Sequence, residues 1–228
     1  MILKLPTLKN MAFTKSLKWT IAQWAEIRWW KRYLKEKNPS EYKSWKTKYW
    51  QEFIAPILAD LQLDYNSKIL DVGCGPAGIF TIFDQYEVTA VDPLLDRYEQ
   101  NLPYFSPKDY PYTTFVNAPL EEFHPTHKYD LVCCLNAINH VSDLDKSLDQ
   151  LTDCIAPKGT LLFSIDAHNH SFFKRLFRLL PGDILHPHQY DLQEYEQMLL
   201  ERGLKIEKTL HQDEGFFFDY YLILACWQ

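Results

Sequence analysis

Two carboxylates and three glycines carry the first chemical signal in this chain. In Lys68-Ile69-Leu70-Asp71-Val72-Gly73-Cys74-Gly75-Pro76-Ala77-Gly78, an apolar run leads into glycines spaced Gly-x-Gly-x-x-Gly. Glycine permits a tight turn there and lets a ligand approach the main chain closely. Asp92 ends the next apolar run, about 20 residues past the first glycine. A carboxylate at that place can accept hydrogen bonds from both hydroxyls of a ribose. A glycine triplet alone is weak evidence; a strand, loop, helix, strand and acid in register describe a nucleoside site. Dinucleotide sites of this design hold a pyrophosphate at the helix N-terminus. Asp71, two residues before Gly73, puts negative charge near that position. That charge repels a pyrophosphate and suits an ammonium or a sulfonium. The expected ligand is a zwitterionic, cationic nucleoside, and a nicotinamide dehydrogenase is disfavoured.

Two histidine groups are candidates for proton transfer. His140 follows Asn136-Ala137-Ile138-Asn139, just past an apolar run that reads as a strand. It has two readings: a general base beside the ligand, or a structural hydrogen-bonder that holds the loop against the sheet. His186, His188 and Tyr190 lie in a Pro-containing stretch, Asp183-Ile184-Leu185-His186-Pro187-His188-Gln189-Tyr190. They are either functional groups on a lid loop or solvent-facing residues of a fixed connection. Two histidines do not make a metal site. The five cysteines, at 74, 133, 134, 154 and 226, form no Cys-x-x-Cys pair, and their odd count argues against a disulfide framework.

Alternating elements must position these groups. Strands are expected at Lys68–Val72, Glu87–Val91, Tyr112–Val116, Tyr129–Leu135, Thr160–Ile165, Leu204–Leu210 and Phe216–Trp227. Helices are expected from Ile79, over Leu94–Asn101, over Ser142–Ile155 with Ala156-Pro157-Lys158-Gly159 as its stop, and over Asp191–Arg202. Such alternation implies an α/β fold, a mostly parallel sheet with helices on both faces. Before it, residues 13–37 read as an amphipathic helix. Asn38-Pro39-Ser40-Glu41 restarts a second helix, which Pro56 should kink or end.

The first 50 residues differ in kind from the rest. They carry 12 Lys and Arg against 3 Asp and Glu, a balance of +9, whereas the remaining chain has a balance of −15. Six of the seven tryptophans also fall there. This Trp-rich basic segment packs on the domain as a lid, lies on an anionic membrane, or binds nucleic acid. Helical spacing of the aromatics favours packing, and the acidic remainder attracts the segment and repels phosphates, so no nucleic-acid partner is expected. No apolar run is long enough to span a bilayer. Met1-Ile2-Leu3-Lys4-Leu5-Pro6 lacks the pattern of a signal peptide, so a cytoplasmic protein is expected.

The segment Asp71-Val72-Gly73-Cys74-Gly75-Pro76-Ala77-Gly78 resembles the first motif of class I S-adenosylmethionine-dependent methyltransferases, close to their small-molecule branch. Val88-Thr89-Ala90-Val91-Asp92 resembles their second motif, and Lys128–Asn136 and Leu151–Ile165 resemble the fourth and fifth strands with the helix between. The likeness covers about residues 68–166. It implies a Rossmann-like seven-stranded, mostly parallel sheet closed by an antiparallel hairpin. Residues 1–62 become a helical extension or lid and 63–228 the cofactor domain, with an insertion over about 167–190.

The resemblance also implies roles. Gly73 and Gly75, with Cys74 between them, pass under the methionine part of the cofactor; Asp71 orients its amino group through water. Asp92, with Pro93 beside it, binds the ribose. Asn117 and Ala118 lie at the adenine edge, and Leu135 and Asn136 beside the sulfonium. Many relatives have Asp in place of Asn117, and Pro119 replaces a commoner acidic residue. Some quinone O-methyltransferases carry metal-binding carboxylates where this chain has Asn136 and Asn139; amides are poorer ligands for hard cations, so no metal is expected. The chain lacks the Asn/Asp-Pro-Pro-Tyr/Phe run of nucleic-acid amino-methyltransferases. Methylation of a small-molecule acceptor is the activity implied. A non-catalytic cofactor-binding scaffold is the alternative, disfavoured by intact glycines and acids.

Overall fold

A computed structural model of the chain describes residues 23–168, 190–215 and 218–228. His186 and His188 lie outside the described residues, as does most of the insertion expected over 167–190. Its first two residues continue a strand.

Seven strands form one sheet in the order β3-β2-β1-β4-β5-β7-β6. They are β1 (Lys68–Val72), β2 (Glu87–Val91), β3 (Thr113–Val116), β4 (Tyr129–Cys134), β5 (Ile155–His168), β6 (Leu204–Glu214) and β7 (Phe218–Trp227). The first five pair in parallel, and β7 enters antiparallel between β5 and β6. The expected sheet is therefore present, closing hairpin included. β5 is longer than expected at both ends. Ala156-Pro157-Lys158-Gly159, expected as a helix stop, is an irregular start of β5, where its register against β4 shifts.

Among the described residues the helices are α1, which includes residues 23–34, α2 (Pro39–Ile54), α3 (Leu95–Asn101), α4 (Leu144–Asp153) and α5 (Leu192–Leu200). Asn38 caps α2 as its sequence predicts, its side chain accepting from the amides of Ser40 and Glu41. The helix gives way before Pro56 to a 3-10 turn, Ala55–Asp60. Asp191 and Glu194 form a reciprocal capping box on α5.

One expectation fails where the glycine loop ends. Instead of a helix from Ile79, the chain makes two 3-10 turns, Gly75–Ala77 and Ile79–Ile82. Gly78 is extended between them. The β-branched Ile79, Thr81 and Ile82 are poor helix formers, and β2 begins at Glu87, too soon for several helical turns and a loop. α2 packs against the second turn, so the N-terminal extension covers part of this face.

Alternation along the central strands feeds two cores. Ile69, Leu131, Cys133 and Leu162 face one side, together with Leu34, Trp50, Phe53 and Ile57 of the extension. Leu70, Val132, Cys134 and Phe163 face the other, under Leu148 and Leu151 of α4 and Tyr195 and Leu199 of α5. The adjacent cysteines thus split between two cores, and both are buried. The extension buries only part of its aromatic stripe: Trp24, Trp29 and Trp45 stay about half exposed, at 57%, 52% and 48%.

Candidate functional site

The loop after β1 is built around backbone shapes and contacts that need glycine. Gly73 has φ +65°, and a Cβ there would collide with the Ala137 side chain. Gly78 sits against the Asp71 carboxylate and the Cys74 carbonyl, with no room for a side chain. Asp71 is buried at the end of β1, and its Oδ2 accepts the Phe80 amide at 3.0 Å. Burial pushes its pKa from 3.8 up to about 7, opposed by amide hydrogen bonds and by Lys46.

Asp92, also buried, ties the loop to β2. Its Oδ2 accepts the Gly75 amide at 3.0 Å and its Oδ1 the Leu94 amide at 2.8 Å. Burial and then the nearby Glu26 raise its pKa to about 7, against those two hydrogen bonds. Across the sheet's carboxyl edge, Asn136 takes the left-handed conformation, φ +54°. Its amide donates to Ser164 Oγ at 2.9 Å, and Tyr220 OH donates to the same oxygen at 2.8 Å. A β5–β7 relay thereby fixes the residue that follows β4.

Two adjoining recesses open at this edge. A narrow one, about 110 Å³, is lined by Val72, Val91, Pro93, Ala118, Pro119 and Leu120. A wider cleft of about 470 Å³ has Gly73, Cys74, Gly75 and Leu135 on one side and Trp29, Trp30, Tyr33, Tyr42, Lys46 and Trp50 of α1 and α2 on the other. Gly73, Asp92, Asn136, His140 and Glu26 border both. The Trp50 indole clamps α2 to the loop by donating to Ala77 O at 2.9 Å. Tyr98 OH donates to Glu26 Oε1 at 2.8 Å, fixing α1 to α3.

Most residues singled out from sequence meet at these recesses: Gly73, Cys74, Gly75, Asp92, Pro93, Ala118, Leu135, Asn136 and His140. Asp71 lies behind the loop rather than on its surface. Asn117 stands aside, its amide donating to Asp96 Oδ2 at 2.9 Å. His140 is exposed at the mouth, on the 3-10 turn Ile138–His140. Among the described residues no group of three or more His, Cys, Asp or Glu side chains is arranged to hold a metal ion. Sequence reasoning missed Glu26, Lys46 and Trp50 individually, although their helices were expected beside the cleft. The spacing of Tyr42, Lys46 and Trp50, each one helical turn from the next, is the signal that could have found them.

A family model described as a methyltransferase domain matches residues 42–209. Ubiquinone biosynthesis O-methyltransferases of Rickettsia bellii and Rickettsia typhi are each 31% identical over 114 residues, 47% of this chain. Those residues are 47% and 46% of the relatives, so the chain spans about half the length of the curated relatives it matches. Among solved structures, a 1,6-didemethyltoxoflavin-N1-methyltransferase of Burkholderia thailandensis shares the fold with a TM-score of 0.63 at 12% identity, over 99% of this chain and 93% of that one. Magnesium protoporphyrin IX methyltransferase of Synechocystis PCC 6803 does so with a TM-score of 0.56 at 19% identity, over 80% and 83%.

Proposed function

The chain belongs to the methyltransferase domain family, and from that premise we propose that it transfers the methyl group of S-adenosylmethionine to a hydroxyl oxygen of a small aromatic acceptor. One observation carries the reading: the glycine loop and Asp92 share a single cleft with Trp29, Trp30, Tyr33 and Trp50. Aromatic walls take flat apolar rings by burial and offset stacking. The O-methyltransferase names of the curated relatives support oxygen as the acceptor atom.

The residues present fit the cofactor. Gly75 leaves the cleft floor bare, since a Cβ there would first meet Trp30 at 3.8 Å. Asp92 and Glu26 bring carboxylates to the junction of the two recesses, suited to ribose hydroxyls and to a cation. The narrow recess, with Ala118 and Leu120 among its apolar walls, suits a flat base. Bound S-adenosylmethionine supplies an activated methyl group on a sulfonium.

What the chain adds is position. The Ser164–Tyr220 relay holds Asn136, and with it Leu135, where recess and cleft meet. Trp29 and Trp30 confine the acceptor so that its oxygen faces that junction, which lowers the barrier by proximity. Methylation of a hydroxyl releases its proton, and His140, exposed at the mouth, would receive it or pass it to water.

Transfer of a tritiated methyl group tests the proposal across matched phenols, amines, thiols and carboxylates. Labelled phenols, with labelling lost in Asp92→Ala, are expected. Label on amines or thiols alone would reassign the acceptor atom. Cofactor binding with no labelling of any acceptor would overturn the enzymatic reading.

A further inference from the structure

Lys46 is the only lysine or arginine among the described residues that line the aromatic cleft. It sits one turn before Trp50, the residue clamped to the glycine loop, and Asp71 behind that loop acts on its charge. Its Nζ lies 4.3 Å from the Tyr49 ring centre, 4.6 Å from Trp50 and 5.7 Å from Trp45. No described residue makes an ion pair or hydrogen bond with that ammonium. Aromatic faces attract a cation but supply no directed acceptor for its three N–H groups. Burial accordingly lowers its pKa from 10.5 to about 8. One turn earlier on α2, Tyr42 is 3% exposed, and its hydroxyl is buried without a hydrogen-bond partner.

Two donors without acceptors thus stand on one helix wall, one charged and one neutral. Asp92 and Glu26 border the same cleft. A ligand that pairs with these carboxylates and with the two donors bears a positive centre and an anion. We propose that Lys46, with the Tyr42 hydroxyl, forms a carboxylate-binding subsite of this cleft. The proposal rests on reading the cleft as the cofactor and acceptor site. Two sources offer the same chemistry: the amino-acid carboxylate of the cofactor, and an acid group on the acceptor.

Calorimetry and labelling on the full chain separate them, using Lys46→Gln. S-adenosylhomocysteine and its decarboxylated analogue, S-adenosyl-3-thiopropylamine, probe the first source. Loss of a charge-assisted hydrogen bond weakens binding by about tenfold or more. If the cofactor's carboxylate is held, S-adenosylhomocysteine binds the variant at least tenfold more weakly, and the analogue binds both proteins alike. A hydroxybenzoic acid and its methyl ester probe the second. If the acceptor's acid is held, the variant raises KM for the acid alone and leaves S-adenosylhomocysteine affinity unchanged. Either result supports the subsite, and Lys46→Arg should restore part of the loss. Lys46→Gln that binds every probe like the parent, with or without a lower melting temperature, assigns Lys46 to packing and overturns the proposal. Should Lys46→Gln not fold, Lys46→Met and Tyr42→Phe are read by the same criteria. A parent protein that fails to bind S-adenosylhomocysteine overturns the reading of the cleft itself.

Discussion

Asp71 makes the stability of the ligand-free protein depend on pH in an uncommon direction. Its pKa is about 7 in the folded chain and near 3.8 when unfolded. Between those values the folded state keeps a proton that the unfolded state has released. Stability from this group is therefore full below pH 3.8, falls as pH rises, and levels off above about 7. Each pH unit inside that window costs 1.36 kcal/mol, so from pH 5 to pH 7 the group removes about 3 kcal/mol. The perturbation is Asp71→Asn, which keeps an oxygen to accept the Phe80 amide and cannot ionise. Urea denaturation of parent and variant at pH 5 and pH 8, without ligand, reads the group together with the smaller effects of its charge on Asp92 and Lys46, because titrations that Asp71 does not touch cancel in the difference. The variant should gain about 3 kcal/mol relative to the parent between the two pH values. A difference that stays flat, or changes sign, would show Asp71 ionised throughout and held by its amide partners. That result would refute the argument that burial outweighs them.

Three further outcomes follow from single contacts. Gly73→Ala adds a Cβ at φ +65° against Ala137; a loss of about 2 kcal/mol or more and of S-adenosylhomocysteine binding is expected in thermal melts and calorimetry. Trp50→Phe removes the indole donor to Ala77 O and should cost about 1 kcal/mol, with weaker cofactor binding as the loop loosens; unchanged affinity would mean that the clamp does not shape the floor. Tyr220→Phe breaks the relay at Ser164, so kcat should fall more than cofactor affinity, read by steady-state labelling against calorimetry.

The sheet was legible because each strand reports its own environment. Lys68–Val72 and Glu87–Val91 are short apolar runs bounded by turn residues, and the structure gives them the same limits. The glycine loop was legible because backbone shape and close approach demand glycine at fixed spacing. Helix formation after Gly78 was misread, since the motif's usual sequel hides how few residues separate it from β2. Residues contributed from far along the chain were not legible. Glu26 reaches the cleft because Tyr98, 72 residues later, fixes it, and nothing local to Glu26 announces that partner. Lys46 reads as one more solvated lysine until α2 is laid on the loop.

The dependence of the extension on later residues has a kinetic consequence. α1 and α2 leave the ribosome before anything that covers them. Trp50 waits for Ala77, 27 residues on, and the Leu34 carbonyl waits for the Tyr104 hydroxyl, 70 residues on. At about 5–20 residues per second, those indoles spend seconds exposed on a nascent chain. The closure entropy of those long loops must be met before any of the contacts repays it. Their dense lysines and arginines repel other nascent copies during that interval, so the basic charge of the extension guards its unfinished aromatic wall against association.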